Sequence, residues 1–262
     1  MRVARLLLAL AWLGVISGCA SPVGVDRFDP KKVRRELAAS VLTGDTPSAL
    51  SRQTLDREDL ELRWEEDPAE ALRELHARLD DPVERADRLF ALAELSFQRA
   101  QSAKDPAWFR ASAIYAYAFL FPSDATLRPR FFDPRTRLAM ELYNQALTEG
   151  FREGEGDTVV FRGGSFALPF GSLEVDLDDA RLSWGGYRVV ELTASNQYRV
   201  RGLRNRYRRA GIGAALIGRH EKIPGTQDPS SARIAPRQRT PVTAFLRLDD
   251  PLGGIQRGAA RG

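Results

Sequence analysis

Five Asp-Pro steps divide the first part of the chain: Asp29-Pro30, Asp67-Pro68, Asp81-Pro82, Asp105-Pro106 and Asp133-Pro134. Each reads as a helix start. The Asp side chain accepts from the free N–H groups of a first turn, and Pro at the first helical position gives up no hydrogen bond. Glu70 and Glu84 stand three residues after an Asp, the pattern of a capping box. The apolar residues after these steps recur at helical spacing. Val33, Leu37, Ala38 and Val41 share one face, and Leu72, Leu75 and Leu79 another. Ala86, Leu89, Phe90, Ala93, Phe97 and Ala100 form a third stripe, and Met140, Tyr143, Leu147 and Phe151 a fourth. Residues 111–121 are apolar nearly all round, which at that length predicts a buried central helix rather than a membrane span. The helix pair over 84–121, with small residues at its contact points and Pro122 behind it, resembles a tetratricopeptide hairpin. The Asp-Pro steps lie 38, 14, 24 and 28 residues apart. A repeat array would keep one period of about 34, so a helical bundle with one such hairpin is expected.

The period changes after Gly150. Residues 152–157 read as a linker, and β signals begin beyond it. Residues 158–161 form a short β-branched run, and Leu173, Val175 and Leu177 alternate with acids. Residues 182–192 carry a Gly185-Gly186 turn between two strand patterns. Residues 198–203 and 242–248 are further candidate strands. The expected fold class is therefore α+β. An N-terminal helical domain over 28–152 is followed by a small antiparallel β-rich domain over 157–248. Residues 220–240, with three prolines, read as a long loop. The Gly/Arg/Ala-rich end, 249–262, reads as a flexible tail without a packing pattern.

The first twenty residues predict an address. Arg2 and Arg5 precede an apolar run at 6–15, too short for a bilayer and right for the hydrophobic part of a secretory signal. The run ends in Ile16, Ser17, Gly18 and Cys19, which resembles a bacterial lipobox. That resemblance implies removal of residues 1–18 as a signal peptide and acylation of Cys19, with 19–27 as a tether. Cys19 is the only cysteine of the 262 residues, so lipidation would leave a mature chain without a thiol, as suits an oxidising periplasm. Ala20 stands after it rather than the Asp of inner-membrane retention. The expected location is the outer membrane, periplasm-facing and lipid-anchored.

Candidate chemistry is sparse. One Cys and two His exclude a Cys/His zinc site and an internal disulfide, and no metal or cofactor is expected. Residues 163–167, around Ser165, come near the G-x-S-x-G elbow. The elbow requires a helix after the Ser, but Leu168-Pro169-Phe170-Gly171 stands there, and the only downstream His is His220. A glycine-rich β turn is the reading adopted. Gly211-Ile212-Gly213 lacks the third glycine of a dinucleotide loop and reads as a turn. His76 has no Cys or His near it to complete a ligand set. The acids at 176–179 fit a strand end and lack calcium-loop spacing. Arg199, Arg201, Arg204, Arg206, Arg208 and Arg209 make a basic stretch interleaved with Tyr198 and Tyr207. In an envelope protein these arginines point to anionic lipid or an acidic partner, not to nucleic acid. A solvated face is the competing reading.

Six segments together carry a family resemblance: 41–48 (VLTGDTPS), 90–97 (FALAELSF), 114–122 (IYAYAFLFP), 133–144 (DPRTRLAMELYN), 198–205 (YRVRGLRN) and 241–247 (PVTAFLR). They resemble the N-terminal, non-catalytic region of bacterial lipoproteins that carry a C-terminal α/β-hydrolase domain. The resemblance spans most of 28–250. It implies that the elbow and the Ser-Asp/Glu-His triad lie beyond the matched region, so no catalytic residue carries over and no enzymatic activity is expected of this chain. The expectation is a membrane-anchored module of such a lipoprotein, its reading frame truncated before the hydrolase domain. The alternative is a free-standing tetratricopeptide-like lipoprotein that binds a periplasmic or envelope partner.

Overall fold

Three of the Asp-Pro steps open helices as expected. In the computed structural model the described residues are 40–44, 46–130, 132–154, 156–195, 211–225 and 239–262. They all belong to the compact unit Glu36–Gly262. The Asp29-Pro30 step, Val33, Leu37, Ala38, the lipobox with Cys19, the strand expected at 198–203 and the six arginines between 199 and 209 lie outside them.

The helices are α1 (Ala49–Arg57), α2 (Glu61–Glu66), α3 (Pro68–Ala77), α4 (Arg85–Ala103), α5 (Pro106–Leu120), α6 (Pro134–Gly150) and α7 (Pro251–Gln256). Asp67, Asp105 and Asp133 each accept from a first-turn N–H of α3, α5 and α6, with Pro at the first helical position. Asp81-Pro82 behaves differently, and this corrects the expected capping box at Glu84. Helix α4 starts only at Arg85, and Glu84 sits in the left-handed region at φ 55°. The cause is Arg88. Its buried guanidinium donates to the carbonyls of Arg78, Asp81 and Val83 and pairs with Glu58. Those carbonyls are thereby held in a loop instead of a helical turn. Ala86 is exposed, so the stripe begins at Leu89. Val41 is buried on a turn rather than on a helix.

Helices α4 and α5 are joined by only Lys104 and Asp105 and pack on each other, and α5 packs on α6. Every residue of α5 from Ala111 to Leu120 is buried, as a central helix requires.

The strands form two sheets. One is antiparallel, in the order β1 (Thr158–Val159), β5 (Tyr187–Ala194), β6 (Ala214–Lys222), β7 (Arg239–Ala244), with β4 (Ser183–Trp184) also on β5. Gly185 and Gly186 both have positive φ, 56° and 77°, and close the β4–β5 hairpin as its sequence requires. The second sheet pairs β2 (Gly164–Leu168) and β3 (Gly171–Val175) as a hairpin and adds β8 (Ala259–Arg261) parallel to β3.

Three expectations are corrected here. The loop expected over 220–240 contains strand: His220 lies in β6, and β7 starts at Arg239. Strand β7 also takes in Pro241, opposite Ile217, because an edge strand tolerates a missing ladder N–H. The tail expected over 249–262 is folded. Asp250 caps α7, Pro251 occupies its first turn, and Ile255 and Ala260 are buried. Asp250-Pro251 is the same signal used elsewhere in the chain. Finally, the helical and β regions are not separate domains. One core runs from Leu55 and Phe90 through Tyr143 to Leu173, Leu216 and Ile255.

Candidate functional site

Glu94, in the middle of α4, is fully enclosed. Its Oε1 accepts from the backbone N–H of Val41 at 3.2 Å and of Ser48 at 3.1 Å. Its Oε2 accepts from the hydroxyls of Ser48 and Ser51, both at 2.6 Å. Ser48 also caps α1 through the N–H of Ser51. The carboxylate therefore fastens the 41–48 turn and the start of α1 onto the central helix. Four donors occupy its lone pairs, so it has no capacity left for a substrate or ion. An acid inside an otherwise apolar helical run was the sequence signal for this clasp, and the reading by apolar periodicity passed over it.

Two neighbours on α6 do the same for the β region. The Tyr143 hydroxyl donates to the carbonyl of Leu246 at 2.6 Å and accepts from its N–H at 2.9 Å. Burial pushes this phenol up, beyond the ordinary tyrosine range. Asn144 donates to the carbonyl of Gly211 at 2.8 Å and accepts from the N–H of Gly213 at 2.5 Å. The Gly211-Ile212-Gly213 segment is thus a turn held against α6, as expected of it. Around Tyr143, the rings of Tyr117 and Phe245 lie 5.9 and 5.7 Å away.

The residues of the near-elbow are not brought together. Ser165 is exposed on β2, opposite Glu174 of β3. His220 is on the other sheet, with Nε2 on the Thr240 hydroxyl at 2.5 Å. His76 Nδ1 meets the Tyr115 hydroxyl at 2.7 Å, and its ring stacks on Phe170. Burial lowers the pKa of both histidines; for His76 the nearby Asp80 partly opposes it. Burial also holds the Tyr115 phenol well above its ordinary value. A depression of about 290 Å³ beside Ser165 is rimmed by Arg110, Arg152 and Arg162. Arg110 donates to the carbonyls of Gly150 and Ala167, while Arg152 and Arg162 pair with acids. The acids at 176–179 come after the end of β3 and enter a 3-10 turn, as expected. Among the described residues no group of three His, Cys, Asp or Glu could hold a metal ion.

A depression of about 590 Å³ is lined by Leu50, Asp87, Arg130, Phe132, Asp133, Pro134 and Arg135. Its floor is an ionic network. Arg135 bonds Asp133 and Asp87, and Asp87 is shared with Arg57. The Arg135 guanidinium lies 5.1 Å from the centre of the Phe119 ring. Burial alone would raise Asp87, yet hydrogen bonds from Arg57 and Arg135 outweigh it and hold the carboxyl below its usual range. The Arg135 hydrogen bond holds Asp133 low as well, against a smaller opposing effect of burial. A lowered folded-state pKa means that the stabilisation is complete above the unfolded value near ~4 and is lost as pH falls through the folded value. Arg135→Met should therefore destabilise the protein by about 2 kcal/mol at neutral pH. The deficit should shrink when urea unfolding is repeated toward pH 3. A deficit independent of pH would show that packing on Phe119, not charge, carries the effect.

No helix among the described residues is long and apolar enough to cross a membrane. No protein-family model, no curated protein and no solved structure matches the chain.

Proposed function

We propose that this chain is a bacterial envelope lipoprotein, held by acyl chains on Cys19 in the outer membrane and facing the periplasm. Its folded part is a non-catalytic module that works beside an α/β-hydrolase domain. One observation supports this reading most. Five of the six segments that carry the family resemblance meet in the fold; the sixth, 198–205, lies outside the described residues. Segment 41–48 closes on segment 90–97 through Glu94. Segments 114–122, 133–144 and 241–247 meet where Tyr117, Tyr143 and Phe245 pack together. The polar groups that Glu94, Tyr143 and Asn144 supply there go to backbone and hydroxyl partners. That is how a scaffold uses its polar residues; a reaction centre keeps some of its groups open to substrate.

The anchor is tested by expressing the full chain in a Gram-negative host with a fatty-acid probe. The parent chain should be labelled and shortened by signal cleavage, and Cys19→Ser should stay unlabelled and unprocessed. Normal processing of Cys19→Ser would refute the anchor. The purified acylated chain should not hydrolyse esters, and hydrolysis abolished by Ser165→Ala would refute the non-catalytic assignment.

A further inference from the structure

The α5–α6 loop carries an amphipathic edge. Six large apolar side chains are exposed among the described residues, and two of them, Leu127 at 61% and Phe132 at 89%, lie in this loop. Phe132 lines the 590 Å³ depression together with the half-exposed Leu50. Between Leu127 and Phe132 stand Arg128 and Arg130 and no acid. Both arginines are exposed, and neither pairs with an acid among the described residues. The nearest acids are already engaged. Asp124 accepts from the N–H and hydroxyl of Thr126, and Asp133 is bonded to Arg135. The loop is also held in shape, by the turn at Ala125–Leu127 and by the Asp133 N–H on the carbonyl of Arg130.

We propose that this edge docks onto an anionic phospholipid surface, so that the molecule lies in one orientation on the membrane that anchors it. Leu127 and Phe132 enter the interfacial region, and Arg128 and Arg130 reach the phosphates, with their aliphatic stems along the apolar boundary. The inference rests on the Cys19 anchor. Ser40 is 21 positions after Cys19, so the chain between them spans at most ~75 Å. That reach lets the loop meet the bilayer while the acyl chains stay inserted. An acyl anchor supplies attachment without orientation, and a second, basic and apolar contact supplies orientation.

The single cysteine makes the test clean. The acylated full chain bearing Phe132→Cys is labelled with a nitroxide and reconstituted in vesicles of phosphatidylethanolamine and phosphatidylglycerol. Accessibility of the label to a water-soluble nickel complex is compared with that of a label at Val83→Cys, another exposed position. Docking predicts a several-fold lower accessibility at position 132. Adding Arg128→Ser and Arg130→Ser should shift the docked-to-free ratio by roughly 25-fold, about five-fold for each arginine lost near the surface. Equal accessibility at the two positions, in protein that still floats with the vesicles, overturns the docking and leaves the anchor intact. A parent chain whose Cys19 thiol itself takes the label refutes the anchor, and with it the route by which the loop reaches lipid. A label shielded only when soluble envelope protein is added makes the edge a protein contact and overturns the lipid assignment.

Discussion

Glu94→Ala is expected to lower the stability of this protein by about 4–6 kcal/mol, because buried donors left without acceptors each cost ~1–3 kcal/mol. The N–H groups of Val41 and Ser48 lose their shared acceptor, and two serine hydroxyls lose theirs. The site is closed to bulk solvent, since Glu94 and Ser51 are both fully buried. For a folded unit of this size, each kcal/mol moves the midpoint by about 2–4 °C, so thermal unfolding should shift down by roughly 10–20 °C. Glu94→Gln keeps one acceptor oxygen and should lose about half as much, because a serine hydroxyl can turn to accept from the new amide. A shift of only a few degrees for the alanine variant would mean that the 41–48 turn is held by packing alone.

Gly171→Ala is the second large effect. Gly171 has φ 147°, and a Cβ there would lie 1.8 Å from the carbonyl oxygen of Gly258. That oxygen accepts from the N–H of Ser172 at 3.0 Å, at the start of the β3–β8 pairing. Backbone cannot yield to a methyl at that distance, so β8 must detach and carry α7 with it. Ile255 and Ala260 would then be exposed. The expected loss is about 3–5 kcal/mol from unpacked apolar groups and backbone strain together. Amide exchange should speed up selectively at residues 254–262. Gly164→Ala is the matched control. Its φ is also positive, at 133°, but no atom lies within 4 Å of the added carbon, so only backbone strain of about 1–3 kcal/mol is expected, with β8 left in place. Equal exchange profiles for the two variants would refute the steric account.

These two residues also show where sequence reading succeeds and stops. Asp-Pro steps declare helix starts because capping is local chemistry, and Asp67, Asp105 and Asp133 act as the local rule says. Asp81-Pro82 obeys the same rule in sequence and fails in the fold, because Arg88 captures the carbonyls that a helix would need. Local signals cannot show a competitor brought in by tertiary packing. The Gly185-Gly186 turn was legible because two adjacent positive φ angles leave few alternatives. The parallel partner of β3 was not legible, since an Ala-Ala-Arg strand gains its character from what it pairs with. The clasp at Glu94 lay between these cases. Its acid is visible in the helix, but its partners at 41–51 are chosen by the fold.

The hydrogen bonds of Tyr143 and Asn144 reach across 103 and 67 residues of chain. The β3–β8 pairing joins Ser172 to Ala259, a similar distance along the chain. Such contacts carry a loop-closure cost that must be met before any of them forms, and they make assembly slow relative to a bundle with only local contacts. A chain emerging N-terminus first can therefore complete the α4–α5 hairpin early. It then holds the Tyr143 hydroxyl and one edge of β3 open until Leu246 and Ala259 arrive. During that interval the half-made molecule presents an unpaired strand edge beside an aromatic cluster, the kind of surface that recruits a chaperone or another copy of itself. The last dozen residues, which look dispensable in sequence, are the ones whose arrival ends that exposure.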